Sequence, residues 1–361
     1  MAERHLDAGD HGGNLQAAQA QYGRKDFCDL SVNINPWGPP FNFWISLIGN
    51  LLNLRRYPQP YAGKSREILG RFFGLSPEWF ALGNGAAELI RRLPAVFPVE
   101  RAVVLVPTFS EYGQAFQTLG KPVIEIALKR DFQLPVADIK EQLKPKDLLF
   151  ICQPNNPTGG LFPENALGEL LCLTKARGCW MVIDESFLWF AGEIKKWSFF
   201  RYLQDFPNLI LLNSLTKIGS IPGLRLGFLI AEPEMASLMR NSLDQWNVNQ
   251  LAQKVLPTII EPKYLRRTRE RLQRENSWLQ REFAGIHGLH LYPWAANFYL
   301  LKLEADGLTG KELIRRLGEK GILVRDCSNF PGLGPEYIRV AVGDRRRNKR
   351  FLKKLRRILG Q

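Results

Sequence analysis

Short apolar runs recurring between helical stretches constrain this chain more than any other feature. They are AVVLV (102–106), DLLFIC (147–152), WMVID (180–184), LILLN (209–213) and RLGFLI (225–230). Helical patterns fill the gaps, for example Pro163 to Arg177. Strands alternating with helices predict a mostly parallel sheet covered on both faces, an α/β fold. Ligands of such sheets sit beyond the carboxyl ends of the strands. The polar motifs of this chain follow the strands: QPNNPTGG after 147–152, DES at the end of 180–184, SLTK after 209–213.

The alternation runs from about Leu75 to Ile230 and then gives way. A long charged helical region (Lys263 to Phe283) leads to NFYLLKL, a helix near Leu308 to Lys320, GILVRD, EYIRVAV and a basic last helix. That order predicts a small α+β domain. The first forty residues, rich in Gly, Asn and Pro, read as an extended arm. The expected division is an arm over 1–45, a large domain over 46–235 and a small domain over 236–361. A length of 361 residues suits two domains.

Charge and cysteine content narrow the function classes. The formal charge is +14, and nine basic residues and no acid fall in RRRNKRFLKKLRR (345–357), leaving +5 elsewhere. Phe351, Leu352, Leu355, Ile358 and Leu359 recur there at helical spacing, so the segment predicts a packed amphipathic helix with a solvated basic face. No nucleic-acid module accompanies it, and neither nucleic acid nor membrane is expected as a partner. The five cysteines form no CxxC pair and the four histidines no HxxxH, so no metal site is expected. The longest apolar-rich stretch, Phe41 to Leu52, is too short to cross a bilayer. The N-terminus lacks the apolar core of a secretory signal, and a cytoplasmic location is expected.

Lys217 sits in SLTKIGSIPGLRLG, eight positions before Arg225. A lysine near a glycine carries no information alone; the ordered set around it does. That set is GNG (83–85), PTF (107–109), NNPTG (155–159), DES (184–186), SLTK (214–217), Arg225 and IRVAVG (338–343). Asp184 ends an apolar strand, where a carboxylate is costly unless paired, which points to a cationic partner.

From His11 to about Gly343 this set resembles the fold-type I enzymes that use pyridoxal 5′-phosphate (PLP), in the aminotransferase class I and II superfamily. The resemblance implies a large domain with a mostly parallel seven-stranded sheet plus a small α+β C-terminal domain. It implies Lys217 as the lysine that forms a Schiff base with the cofactor, and Asp184 as the partner of the pyridine nitrogen. Asn156 is implied at the phenolic oxygen and Phe109 on the ring face. Ser214, Thr216, Arg225 and the backbone amides of Gly85 and Ala86 are implied at the phosphate. Tyr57 resembles the tyrosine that reaches this phosphate from a neighbouring subunit, which implies a homodimer with shared active sites.

Three further segments, HGGN (11–14), DFCDLSVNINPWGPP (26–40) and GILVRDCSNFPGLG (321–334), resemble the threonine-phosphate decarboxylases of cobalamin synthesis. Histidinol-phosphate aminotransferases are the nearest related family. They usually carry Tyr three residues after the ring-nitrogen Asp, where this chain has Phe187. The resemblance implies a small phosphorylated amino acid as substrate, with Arg339 on its carboxylate. Arg325, His11 and Gly12 of the arm are implied at its phosphate, with Asn35 and Tyr112 in support. Trp37 and FLWF (187–190) are expected to narrow the site, which would favour L-serine O-phosphate.

Overall fold

A computed structural model describes residues 12–304 and 307–361. Among these residues the strands are β1 (Cys28–Asp29), β2 (Phe80–Gly83), β3 (Arg101–Val106), β4 (Val123–Ala127), β5 (Asp147–Cys152), β6 (Trp180–Asp184), β7 (Leu209–Ser214), β8 (Gly227–Ile230), β9 (Leu289–Leu291), β10 (Phe298–Leu303), β11 (Ile322–Leu323), β12 (Arg325–Asp326) and β13 (Tyr337–Ala341).

Seven of them form one sheet in the order β2-β8-β7-β6-β5-β3-β4. Every pair is parallel except those made by β8, which runs against both β2 and β7. Strands β5 and β7 are buried along their whole length, as expected of apolar runs covered on both faces. The parallel strands end on one edge, so Val106, Cys152, Asp184 and Ser214 all feed their following loops to the same side. Because β8 is reversed, it begins on that edge, with Gly227 opposite both Ser214 and Gly83. Arg225 therefore joins the loops there. Gly227 lets the next helix start close by: a Cβ would lie 2.4 Å from the amide nitrogen of Ala86.

A second, antiparallel sheet, β12-β13-β10-β9, belongs to the small domain. The arm is tied to it through β1, which pairs in parallel with β11, Cys28 opposite Ile322. The basic segment forms a helix, Arg345–Ile358, with Phe351, Leu352 and Leu355 buried. Arg345 and Arg356 pair with Glu275 and Glu282 of the long helix Pro262–Ala284. All five cysteines are free thiols. Among the described residues no helix is long and apolar enough to cross a membrane.

Candidate active site

The carboxyl edge of the large sheet opens into a cavity of about 140 Å³. Its lining brings together nine residues singled out from the sequence: Ala86, Phe109, Tyr112, Asn156, Asp184, Ser214, Thr216, Lys217 and Arg225. They come from five stretches of the chain, 86, 109–112, 156, 184 and 214–225.

Asp184 is buried at the end of β6, and among the described residues no lysine or arginine nitrogen pairs with it. Its Oδ1 accepts from the Ser186 amide at 2.9 Å and its Oδ2 from the Tyr112 hydroxyl at 2.8 Å. Two donors fix the carboxylate, and the counter-cation that its burial calls for is what a protonated pyridine nitrogen would supply. Burial raises Tyr112 well above the ordinary phenol range, and the Asp184 charge adds to this, so the hydroxyl remains a donor.

Lys217 lies in the short helix Leu215–Ile218 that follows β7, its Nζ 5.2 Å from the centroid of the Phe187 ring. Burial pulls its amine below the ordinary value; Arg225 and Arg339 act in the same direction, against Asp184. A lysine so placed gains free-amine character, the form that attacks an aldehyde.

On the other side of the cavity, the helix Ala86–Val96 starts at Gly85, whose φ of +82° suits glycine. A Cβ on Gly85 would sit 2.5 Å from Arg225 Nη2. Ser214 and Thr216 join their hydroxyls at 2.7 Å beside it. The Ala86 amide at the helix start, two hydroxyls and a guanidinium make a cradle for a phosphate. The Gly85 amide, also expected there, instead donates to Gly83 O at 2.7 Å, so Gly85 shapes the cradle without donating to it. The buried unpaired carboxylate, the amine and this cradle together fit PLP.

Asn156 links the cavity to the small domain, because its Oδ1 accepts from Arg339 Nη1. Arg339 is buried on β13, donates through Nη2 to the Ser31 carbonyl at 2.9 Å and lies over the Phe298 ring at 5.3 Å. With the Asn33 amide oxygen turned towards it, Nε gains an acceptor at 3.3 Å. Burial pulls this guanidinium down to about 10, and among the described residues no carboxylate pairs with it. Arg325 is its register partner on β12, also buried, with Nη2 donating to Asn329 at 2.9 Å.

Several expectations need revision. Tyr112 spends its hydroxyl on Asp184, so it serves the cofactor side of the cavity and not the substrate phosphate. Asn35 is buried behind Lys217: its Nδ2 donates to Tyr264 Oη at 2.8 Å and Ile218 O at 3.1 Å, its Oδ1 accepts from Trp37 N, and its own amide donates to Lys217 O. It positions the lysine loop instead of meeting the substrate. Of FLWF only Phe187 faces the cavity; Trp189 is in the core, bonded to Asn213. Trp37 lines a separate groove, so neither tryptophan narrows the site. Tyr57, expected to act across a subunit boundary, needs no revision: it is 76% exposed and stacked on Trp246, outside the cavity of its own chain. His11 lies outside the described residues, while Gly12 packs against Ser31, a Cβ there lying 2.4 Å from its carbonyl oxygen. Strands β2 and β4 had no sequence signal of their own: one is four residues long, the other a half-exposed edge.

Sheet order, reversed strand and cavity chemistry define an α/β enzyme of fold type I that uses PLP. The chain belongs to the aminotransferase class I and II family, whose model matches residues 26–355. It is 34% identical over 356 residues to the threonine-phosphate decarboxylase of Salmonella typhimurium, covering 97% of this chain and 96% of that protein. The histidinol-phosphate aminotransferase of Clostridium acetobutylicum superposes with a TM-score of 0.87 at 27% identity, over 92% of this chain and 99% of that one. The L-threonine-O-3-phosphate decarboxylase of Porphyromonas gingivalis superposes with 0.81 at 26%, again over 92% and 99%.

Proposed function

We propose that this protein decarboxylates L-threonine O-3-phosphate to (R)-1-amino-2-propanol O-2-phosphate, a step in cobalamin synthesis carried out in the cytoplasm. The observation that carries the reading is the cross-strand pair Arg325 and Arg339, both buried, with Arg339 bonded to Asn156 and to Ser31 of the arm. Two guanidinium forks suit a substrate with two anionic ends, a carboxylate and a phosphate.

PLP, when bound, accepts the electron pair left on the substrate α-carbon as carbon dioxide departs. Asp184 holds the ring nitrogen protonated, with Tyr112 and Ser186 fixing its carboxylate. Asn156 meets the phenolic oxygen, and Phe109 covers the ring face. Ser214, Thr216, Arg225 and the Ala86 amide would hold the cofactor phosphate, with Gly85 leaving room for it beside Arg225. Lys217 provides the amine that anchors the cofactor and the proton that returns to the α-carbon. Arg339 takes the carboxylate; Arg325, with His11 and Gly12 of the arm, takes the phosphate. Arg339 and Arg325, by gripping the two anionic ends, would fix the orientation of the substrate and so which bond at its α-carbon breaks.

A homodimer fits the exposed apolar face of helix Phe41–Gly49 and the turn after it, where Phe41 is 77% and Leu52 80% exposed. Exposed Tyr57 lies at the end of this face, available to the cavity of a second copy.

Purified cofactor-loaded protein tests the reading when given L-threonine O-3-phosphate, L-serine O-phosphate, or histidinol phosphate with 2-oxoglutarate. Carbon dioxide and the phosphorylated amino alcohol are expected from the first. Glutamate without carbon dioxide would replace the reading with transamination, and equal kcat/KM on the two phosphorylated hydroxyamino acids would remove the preference for threonine.

A further inference from the structure

A groove of about 320 Å³ lies apart from the active-site cavity, between residues 37–42 and the start of the helix Pro262–Ala284. Lys263, Arg267 and Arg271 line it at four-residue spacing. They therefore share one helix face, each about 6 Å along the axis from the next. Among the described residues the side chains of these three make no ion pair and no hydrogen bond, and Arg271 lies 6.0 Å over the ring of Trp37. Their neighbours on the same helix are occupied: Arg266 pairs with Glu270, and Arg274 and Arg281 bond to backbone carbonyls one turn back. Glu261 is the single carboxylate among the lining residues. Three like charges stacked at this spacing cost helix stability, and the positive end of the helix dipole adds to the field.

The floor of the groove is mechanically close to the catalytic lysine. Tyr264 Oη donates to Ile218 O at 2.7 Å and accepts from Asn35 Nδ2 at 2.8 Å. The Asn35 amide in turn donates to Lys217 O at 3.0 Å. Burial raises Tyr264, so its hydroxyl stays protonated and the chain of bonds stays intact.

We propose that this groove is a second anion site that binds a polyphosphate, and that Tyr264 and Asn35 transmit its occupancy to the Lys217 loop. A single phosphate reaches one or two of these cations. A chain of phosphates meets all three, which span about 12 Å along the helix. Inorganic and nucleoside polyphosphates share this chemistry. The proposal is independent of which reaction the cavity catalyses.

Calorimetric titration of the cofactor-loaded full-length enzyme with inorganic tripolyphosphate, and with ATP in parallel, tests the site. One saturable site per chain is expected, weakening as salt rises from about 50 to about 200 mM. The double variant R267Q/R271Q is expected to bind about tenfold or more weakly, with kcat and KM unchanged when tripolyphosphate is absent. Equal affinities for the two probes support an inorganic chain; tighter ATP supports a nucleotide that also uses Trp37. Absence of saturable binding, or binding that survives the double substitution and competes with substrate, overturns the site. Tripolyphosphate is further expected to change wild-type kcat/KM and to lose that effect, but not its binding, in Y264F. An unchanged kcat/KM on saturation overturns the coupling.

Discussion

Replacing Arg339 with lysine keeps a positive charge and removes the fork, and the contacts around Arg339 set the cost. Its guanidinium holds the arm through Ser31 O at 2.9 Å, holds Asn156 through Nη1, and faces no carboxylate of its own among the described residues. A lysine ammonium cannot keep those two protein contacts and also grip a substrate carboxylate with two parallel bonds. Losing one hydrogen bond to a charged group costs about 1.5–3 kcal/mol. At about 1.4 kcal/mol per decade that is a roughly 10- to 150-fold fall in kcat/KM. The carboxylate is held both before and during bond breaking, so most of the loss is expected in KM. The assay is initial-rate release of carbon dioxide from L-threonine O-3-phosphate, with the absorbance of the bound cofactor recorded to show equal loading. A kcat/KM for R339K within about threefold of wild type would refute the reasoning. It would mean that Arg339 serves only the protein's own carbonyls.

Three other substitutions follow from the same geometry. Y112F removes the 2.8 Å donor to Asp184, and cofactor affinity in equilibrium dialysis is expected to weaken by roughly ten- to a hundredfold, from about 1.5–3 kcal/mol per charged hydrogen bond; unchanged affinity would show that Ser186 alone fixes the carboxylate. G85A puts a methyl 2.5 Å from Arg225 Nη2 at a φ of +82°, so the purified variant is expected to retain little cofactor by absorbance, and full occupancy would contradict the cradle. Glu185, fully buried behind Asp184 and bonded by Ser198 and the Phe199 amide, has its carboxyl pushed up to about 7 by burial. Its folded value lies above the unfolded one of about 4.3, so the native state binds the proton more tightly and stability is lost as pH rises between them. E185Q is expected to lose less Tm between about pH 5 and pH 8 than the wild type; parallel losses would count against this assignment.

The cofactor half of the cavity was legible in the sequence because its residues are fixed by strand ends. Asn156, Asp184, Ser214 and Lys217 each follow an apolar run whose length and burial put the next residue on the carboxyl edge. Arg225 was legible through its motif, but its placement depends on β8 running backwards, which no local pattern records. The substrate half was less legible. Asn35 and Tyr112 carry the right chemistry in the right segments, yet their partners, Tyr264 and Asp184, are 229 and 72 residues away. The same holds for Trp189, which belongs to an apolar segment next to Asp184 and turns into the core to reach Asn213. One-dimensional spacing places a side chain near a site; packing decides which way it faces.

The pairing of Cys28 with Ile322 has a consequence for how the molecule is made. These strand partners lie 294 residues apart, and the same short arm delivers Ser31 O to Arg339 and the Asn35 amide to Lys217. At about 5–20 residues per second, the arm leaves the ribosome roughly 15–60 s before its partner strand exists. The large sheet can form during that interval and Asn35 can meet Lys217 O, but β1 has no strand to pair with and Ser31 O no Arg339. Assembly of the substrate side is therefore post-translational, and a nascent chain stalled before residue 322 should bind cofactor groups at the sheet edge without a completed grip on substrate.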